Sequence, residues 1–247
     1  MSGAEPKSTR VTGLWVYQSP NVVSAPPDPE SVVAHATHFG LRWLTVEAFS
    51  GTKLLDTDWL GAMRRATAAH GMRLGVHGYI GRPLPQPEAE AHAVSDAIHR
   101  AQADFVIVDA EGEYELAPAG TSKRFVEAYR RLRPNFQSYF SSFGRPSLHA
   151  GLDWKAWADA GFAGMPQAYQ NLNPTQLRPT TCVEDWARIF PRRDLRPTLG
   201  CFSENGHGHL PTTQLVASVQ EVRDLRFNVY RHGTVTDAEL AGLAAIT

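Results

Sequence analysis

Four acidic residues at alternate positions, Asp109, Glu111, Glu113 and Glu115, close the stretch 104–115, DFVIVDAEGEYE. They follow the apolar, β-branched run Phe105-Val106-Ile107-Val108, which reads as a strand buried on both faces. Residues two apart on a strand share a face, so Asp109 and Glu111 project together, about 6–7 Å apart at Cα. Paired carboxylates repel, and each raises the other's pKa. A general acid with a carboxylate partner is what glycosidic bond cleavage uses. The plainer alternative is a solvated acidic loop. Gly112 lies between Glu111 and Glu113 and can turn the chain there.

The rest of the chain alternates apolar strands with capped helices. Strands are expected at 11–17, 41–48, 72–80, 105–110, 135–142, 162–169, 196–202 and 227–230. Helices are expected at 31–39, 58–70, 88–102, 122–132, 153–160, 181–190, 212–224 and from 236 onward. Pro166 weakens the sixth strand, because proline gives no ladder donor. Thr181–Glu184 and Thr236–Glu239 match the capping-box pattern. Eight βα units in 247 residues describe a single (β/α)8 TIM barrel over 11–247, with residues 1–10 as a flexible tail. A doubly wound sheet is disfavoured, since no glycine-rich phosphate loop is present.

A TIM barrel builds its site at the C-terminal strand ends. The first strand ends in Trp15, Tyr17 and Gln18, the second offers Glu47, and the third His77 and Tyr79. The fifth gives Tyr139 and Ser141, and the sixth Gln167, Tyr169 and Asn171. Glu204, Asn205, His207 and His209 follow the seventh, and Tyr230, Arg231 and His232 end the eighth. Aromatic rings among hydrogen-bonding groups suit a sugar. Trp15 and Tyr17 also fit a packing role, and His77 a satisfied core histidine. Glu47, on a strand, needs a partner if buried. Glu204 with His207 and His209 has the ligand chemistry of zinc, in a glycine-rich loop.

Composition narrows the classes. A 43% hydrophobic and 20% charged chain is that of a globular protein, and a formal net charge of −1 gives a nucleic-acid or anionic-membrane partner no support. No apolar run is long enough to span a bilayer. The N-terminus, MSGAEPKSTR, lacks the apolar centre of a signal peptide. The expectation is a protein cytoplasmic at synthesis, phage-derived or exported without a signal. Cys182 and Cys201 lack metal spacing and are expected as free thiols.

Taken together, the motifs resemble the glycoside hydrolase family 25 lysozymes. WLTVEAFSGT (43–52) is similar to that family's second strand, LGVHGYIG (74–81) to its third, and VIVDAEG (106–112) to its Asp-x-Glu fourth strand. SYFSSFGRP (138–146) resembles the fifth strand and MPQAYQN (165–171) the sixth, with its Gln-Tyr pair. The resemblance implies Glu111 as the catalytic acid, Asp109 as its neighbouring carboxylate, peptidoglycan as substrate and no cofactor or metal. The first strand departs from the pattern, because GLWVYQSP (13–20) carries no acid. Either Glu47 or Glu204 substitutes, or the mechanism differs, or the barrel is an inactive carbohydrate-binding or structural subunit, such as one in a phage virion. The Asp-x-Glu strand and sixth-strand tyrosine also resemble family 18 chitinases, which carry further acids before that pair; here Asp104 alone precedes it. The expected substrate contacts are Trp15, Tyr17, His77, Tyr79, Tyr139, Gln167, Tyr169, Asn171, Glu204 and Tyr230.

Overall fold

A computed structural model describes residues 10–18, 24–204 and 206–246; the expected tail at 1–10 thus falls outside it, except for Arg10. Eight parallel strands close into a barrel: Val11–Val16, Trp43–Ser50, Arg73–Ile80, Phe105–Ala110, Ser138–Ser142, Ala163–Ala168, Thr198–Gly200 and Phe227–Tyr230. Closure is direct, since the first strand pairs with both the second (Leu14 with Leu44) and the eighth (Leu14 with Val229). The two-residue strand Lys53–Leu54 folds back antiparallel on the second.

Helices Pro29–His38, Thr57–Ala69, Pro87–Ala101, Thr121–Leu132, Trp154–Asp159, Pro179–Trp186, Thr212–Gln220 and Asp237–Ala244 provide the crossovers that parallel strands require. Asp28 caps the first through Ser31 N, Asp56 the second, and Thr236 with Glu239 forms the expected capping box. The box expected at 181–184 is absent. That helix starts at Pro179 with no side-chain cap, because proline's fixed φ and missing N–H suit a first helical position.

Alternation along the strands separates two cores. Val106 and Val108 face the helices and join the main core, where Trp157 stacks on Phe140 at 4.2 Å. Phe105 and Ile107 face the bore, where they pack with Trp15 and Met165. Gly13 and Gly75 make room for that filling: a Cβ would sit 2.1 Å from the Trp43 ring at Gly13 and 2.2 Å from the Phe105 ring at Gly75. The bore is therefore plugged with rings at its N-terminal end, and a ligand can enter the bore only from the opposite mouth.

Candidate active site

The fourth strand delivers the acid pair as its alternation requires. Phe105, Ile107 and Asp109 face the bore, and Glu111 continues at the mouth, where the strand yields to the one-turn helix Gly112–Glu115. Tyr79 pairs with Asp109 from the third strand and Ser141 from the fifth.

Gln167, on the sixth strand, binds the two acids together. Its Nε2 donates to Asp109 Oδ1 at 3.1 Å and to Glu111 Oε1 at 2.6 Å, and it lies 3.4 Å from Ser141 Oγ. Ser141 adds a second bond to Asp109. Burial raises the pKa of Asp109, the charge of Glu111 raises it further, and the Ser141 and Gln167 bonds oppose both. Burial likewise raises Glu111; Gln167 opposes it and Glu113 reinforces it. The pair thus holds a proton more readily than isolated carboxylates do.

Aromatic rings wall the mouth. Tyr17, at the end of the first strand, meets Tyr230 at 5.5 Å and bonds it through the hydroxyls. Tyr169 lies 5.4 Å from Tyr230 and 5.2 Å from Phe202. Burial keeps Tyr17 and Tyr169 protonated, with Tyr230 and then Asp109 adding to the shift, so all three tyrosines offer hydroxyls beside Asp109. A cavity of about 270 Å³ reaches Gln167 and Tyr169 and is further lined by Phe143, His149, Leu172 and Leu177 among others.

Gly112 does turn the chain, and Glu113 leaves the acid pair. It accepts from the Tyr79 hydroxyl and, at 3.3 Å, from Arg82 Nε, while Arg82 lies 4.3 Å over the Tyr79 ring. Burial pushes Glu113 up, but those two donors outweigh it and hold its carboxyl low. Arg82 is a neighbour that sequence reading missed. It lies in the proline-rich loop after the third strand, where no periodicity marks a side chain's direction.

Other candidates fall elsewhere. Tyr139 does not reach the mouth. It lies well short of the strand's C-terminal end at Ser142, opposite Ile107 and edge-on to Phe105 at 5.7 Å in the bore's floor. Asn171 is 4% exposed and donates to the Phe202 carbonyl at 2.7 Å, tying two loops together, while its Oδ1 has no hydrogen-bond partner among the described residues. Trp15 is 1% exposed; it lies beneath Tyr230 and donates to Asn228 Oδ1, an acceptor the sequence did not advertise. His77 is buried between Trp15 and Tyr17 with Nδ1 3.2 Å from Thr45 Oγ1, and burial takes its pKa down to about 3. Burial thus favours the neutral ring, and its Nε2 has no hydrogen-bond partner among the described residues. Glu47 is buried and accepts from the Gln18 backbone N–H at 3.2 Å, bracing the end of the first strand.

Glu204 is exposed in a turn closed by backbone bonds with His207, near enough to Tyr169 and Tyr230 to act on them electrostatically. His209 Nδ1 lies 2.9 Å from Glu239 Oε1, which anchors this loop to the last helix. Among the described residues no group of three or more His, Cys, Asp or Glu is arranged to hold a metal. Cys182 and Cys201 are free and buried, Cys182 with its thiol pushed up to about 12 by burial.

The fold and mouth define a single (β/α)8 barrel carrying a buried carboxylate pair at the end of its fourth strand. No protein-family model and no curated protein matches the sequence. Solved structures do match. The spore cortex-lytic enzyme SleL of Bacillus cereus aligns with a TM-score of 0.69 at 10% identity, over 97% of this chain and 76% of that one. Active domain 2 of a thermostable chitinase from Pyrococcus furiosus aligns at 0.67 and 12% identity, over 98% and 96%. A family 18 chitinase from Cycas revoluta aligns at 0.66 and 10% identity, over 95% and 98%. At such identities the likeness establishes the fold. The family 25 resemblance finds no support in these matches, which include family 18 chitinases, the other family the sequence resembled.

Proposed function

We propose that this protein is a glycoside hydrolase that cleaves a β-linked amino-sugar polymer, with peptidoglycan the first candidate. The observation that carries this reading is the buried Asp109–Glu111 pair, held by one amide donor beneath tyrosine hydroxyls. The barrel shared with a cortex-lytic enzyme and with chitinases supports it.

Glu111, which burial makes a weaker acid than an isolated carboxyl, donates to the leaving oxygen. The distances from Gln167 Nε2 to the two acids together set an upper bound on the Oδ1–Oε1 separation. That bound falls short of the roughly 6.5–9.5 Å that an inverting pair needs to hold a water. Asp109 therefore stabilises the positive charge developing at the sugar, or orients the substrate's N-acetyl group for attack from within the substrate. In the second role the N-acetyl oxygen bonds to the anomeric carbon as the leaving oxygen departs with the proton from Glu111, and water then displaces that oxygen, so configuration is retained. Tyr17, Tyr169 and Tyr230 bind the ring beside the acids, and Trp15 supports them from below. The mechanism uses no acid on the first strand, so the absence of one at 13–20 does not argue against turnover.

The test measures reducing ends released from purified peptidoglycan and from chito-oligosaccharides. Wild-type turnover that drops at least ~10²-fold in Glu111→Gln, the usual worth of a general acid, supports the reading. Binding without release of reducing ends would identify a carbohydrate-binding barrel instead.

A further inference from the structure

The barrel's other end carries a second site. Arg10 immediately precedes the first strand and Arg226 the eighth, Arg196 lies one residue further ahead of the seventh, and Arg192 and Arg193 belong to the 3-10 turn Arg192–Asp194. These segments all lead into strand N-termini, so the five side chains gather on the face opposite the acid pair. With Asp224 they line a cavity of about 360 Å³.

The charges there do not cancel. Asp224 takes one fork, accepting from Arg192 Nε at 2.9 Å and Nη2 at 3.0 Å. Arg196 Nη1 donates to the Arg193 and Leu195 carbonyls, at 2.7 Å each, which fixes its position without neutralising it. Arg193 is 88% exposed and comes no closer to Asp194 than 3.9 Å. Arg10 and Arg226 are bonded to no carboxylate among the described residues. Five guanidinium charges against Asp224, Asp194 and Glu184, which acts on Arg192 electrostatically, leave two over, in a chain whose formal net charge is −1. The concentration is local rather than a reflection of a basic protein.

Guanidinium forks match the oxygens of phosphate, and several converging on one small volume favour a compact, multiply charged group. A duplex nucleic acid calls instead for cations spread along a track. The geometry points to a phosphate-binding pocket on the N-terminal face of the barrel, for a phosphate monoester or for one unit of a polyol-phosphate chain. This inference does not depend on the proposed hydrolase activity.

Calorimetric titration of the intact protein with inorganic phosphate, glycerol phosphate and poly(glycerol phosphate) tests it. Saturable one-to-one binding of inorganic phosphate is expected, weakening as sodium chloride is raised. Arg193→Gln with Arg226→Gln removes two exposed, uncompensated charges and should weaken binding about tenfold or more. Tighter binding of the polymer per phosphate group marks a polymeric ligand, and equal binding per phosphate a small one. Heat that does not saturate, or wild-type affinity unmoved by salt, overturns the inference, and so does undiminished binding in a double variant that melts like wild type. Glycan hydrolysis measured on the same samples is expected to be unchanged by the double variant.

Discussion

Gln167 offers the sharpest test of how the two acids are controlled, because it can be altered without touching either one. Gln167→Leu keeps similar volume and removes the Nε2 that reaches Glu111 at 2.6 Å and Asp109 at 3.1 Å. Both bonds favour the ionised carboxylates. A hydrogen bond to a charged group is worth about 1.5–3 kcal/mol. Divided between two acceptors, the high end of that range corresponds to a rise of about one pH unit at Glu111. The general acid must be protonated, so the alkaline limb of kcat/KM should move to higher pH by about one unit. The rate on the plateau should also fall, by roughly tenfold, as the acids lose their alignment. Stability supplies an independent readout. A carboxyl whose folded pKa lies above its unfolded value carries no penalty below the unfolded value, and the full penalty once pH exceeds the folded one. The variant should therefore match wild type near pH 3 and melt lower at pH 7. Equal loss of rate at every pH, with the limb unmoved, would mean that Gln167 touches substrate and does not govern the acids.

Four further outcomes follow from the same geometry. Glu113→Gln should cost less than about tenfold in rate, because Glu113 is held by Tyr79 and Arg82 away from the acid pair; a loss matching that of Glu111→Gln would reverse the assignment. Burial holds His77 near pKa 3 against an unfolded value of about 6.5. Stability should thus be lost as pH falls below about 6.5, and the ring protons should show no NMR titration between pH 5 and 8. Trp157→Ala, which removes a fully buried ring stacked on Phe140, should destabilise by about 3–5 kcal/mol in urea unfolding. Thiol reagent should find two equivalents in unreduced, denatured protein and react slowly with the native one, since both cysteines are free and buried.

The sequence by itself determined the barrel, its eight strands and the pairing of Asp109 with Glu111. Those features are written in local periodicity: an apolar run of β-branched residues makes a strand, and alternation sends every second side chain to one face. The fourth strand was expected at 105–110 and lies at Phe105–Ala110 for that reason. Which layer of the bore a side chain occupies is less legible: Tyr139, expected at the mouth, lies before the strand's end at Ser142, level with Ile107 in the floor.

Tertiary structure alone decided what each polar group meets. Gln167 lies 56 residues from Glu111 in sequence, and nothing local says that its amide reaches two carboxylates rather than a sugar. Burial from every side, not residue type, made His77 a neutral core group and Asn171 a loop tie. The arginine pocket was invisible for a related reason: Arg10, Arg192, Arg193, Arg196 and Arg226 are scattered along the chain, and net charge averages them away. They meet because successive βα units return the chain to the same end of the barrel, a consequence of closure that no single stretch of sequence contains.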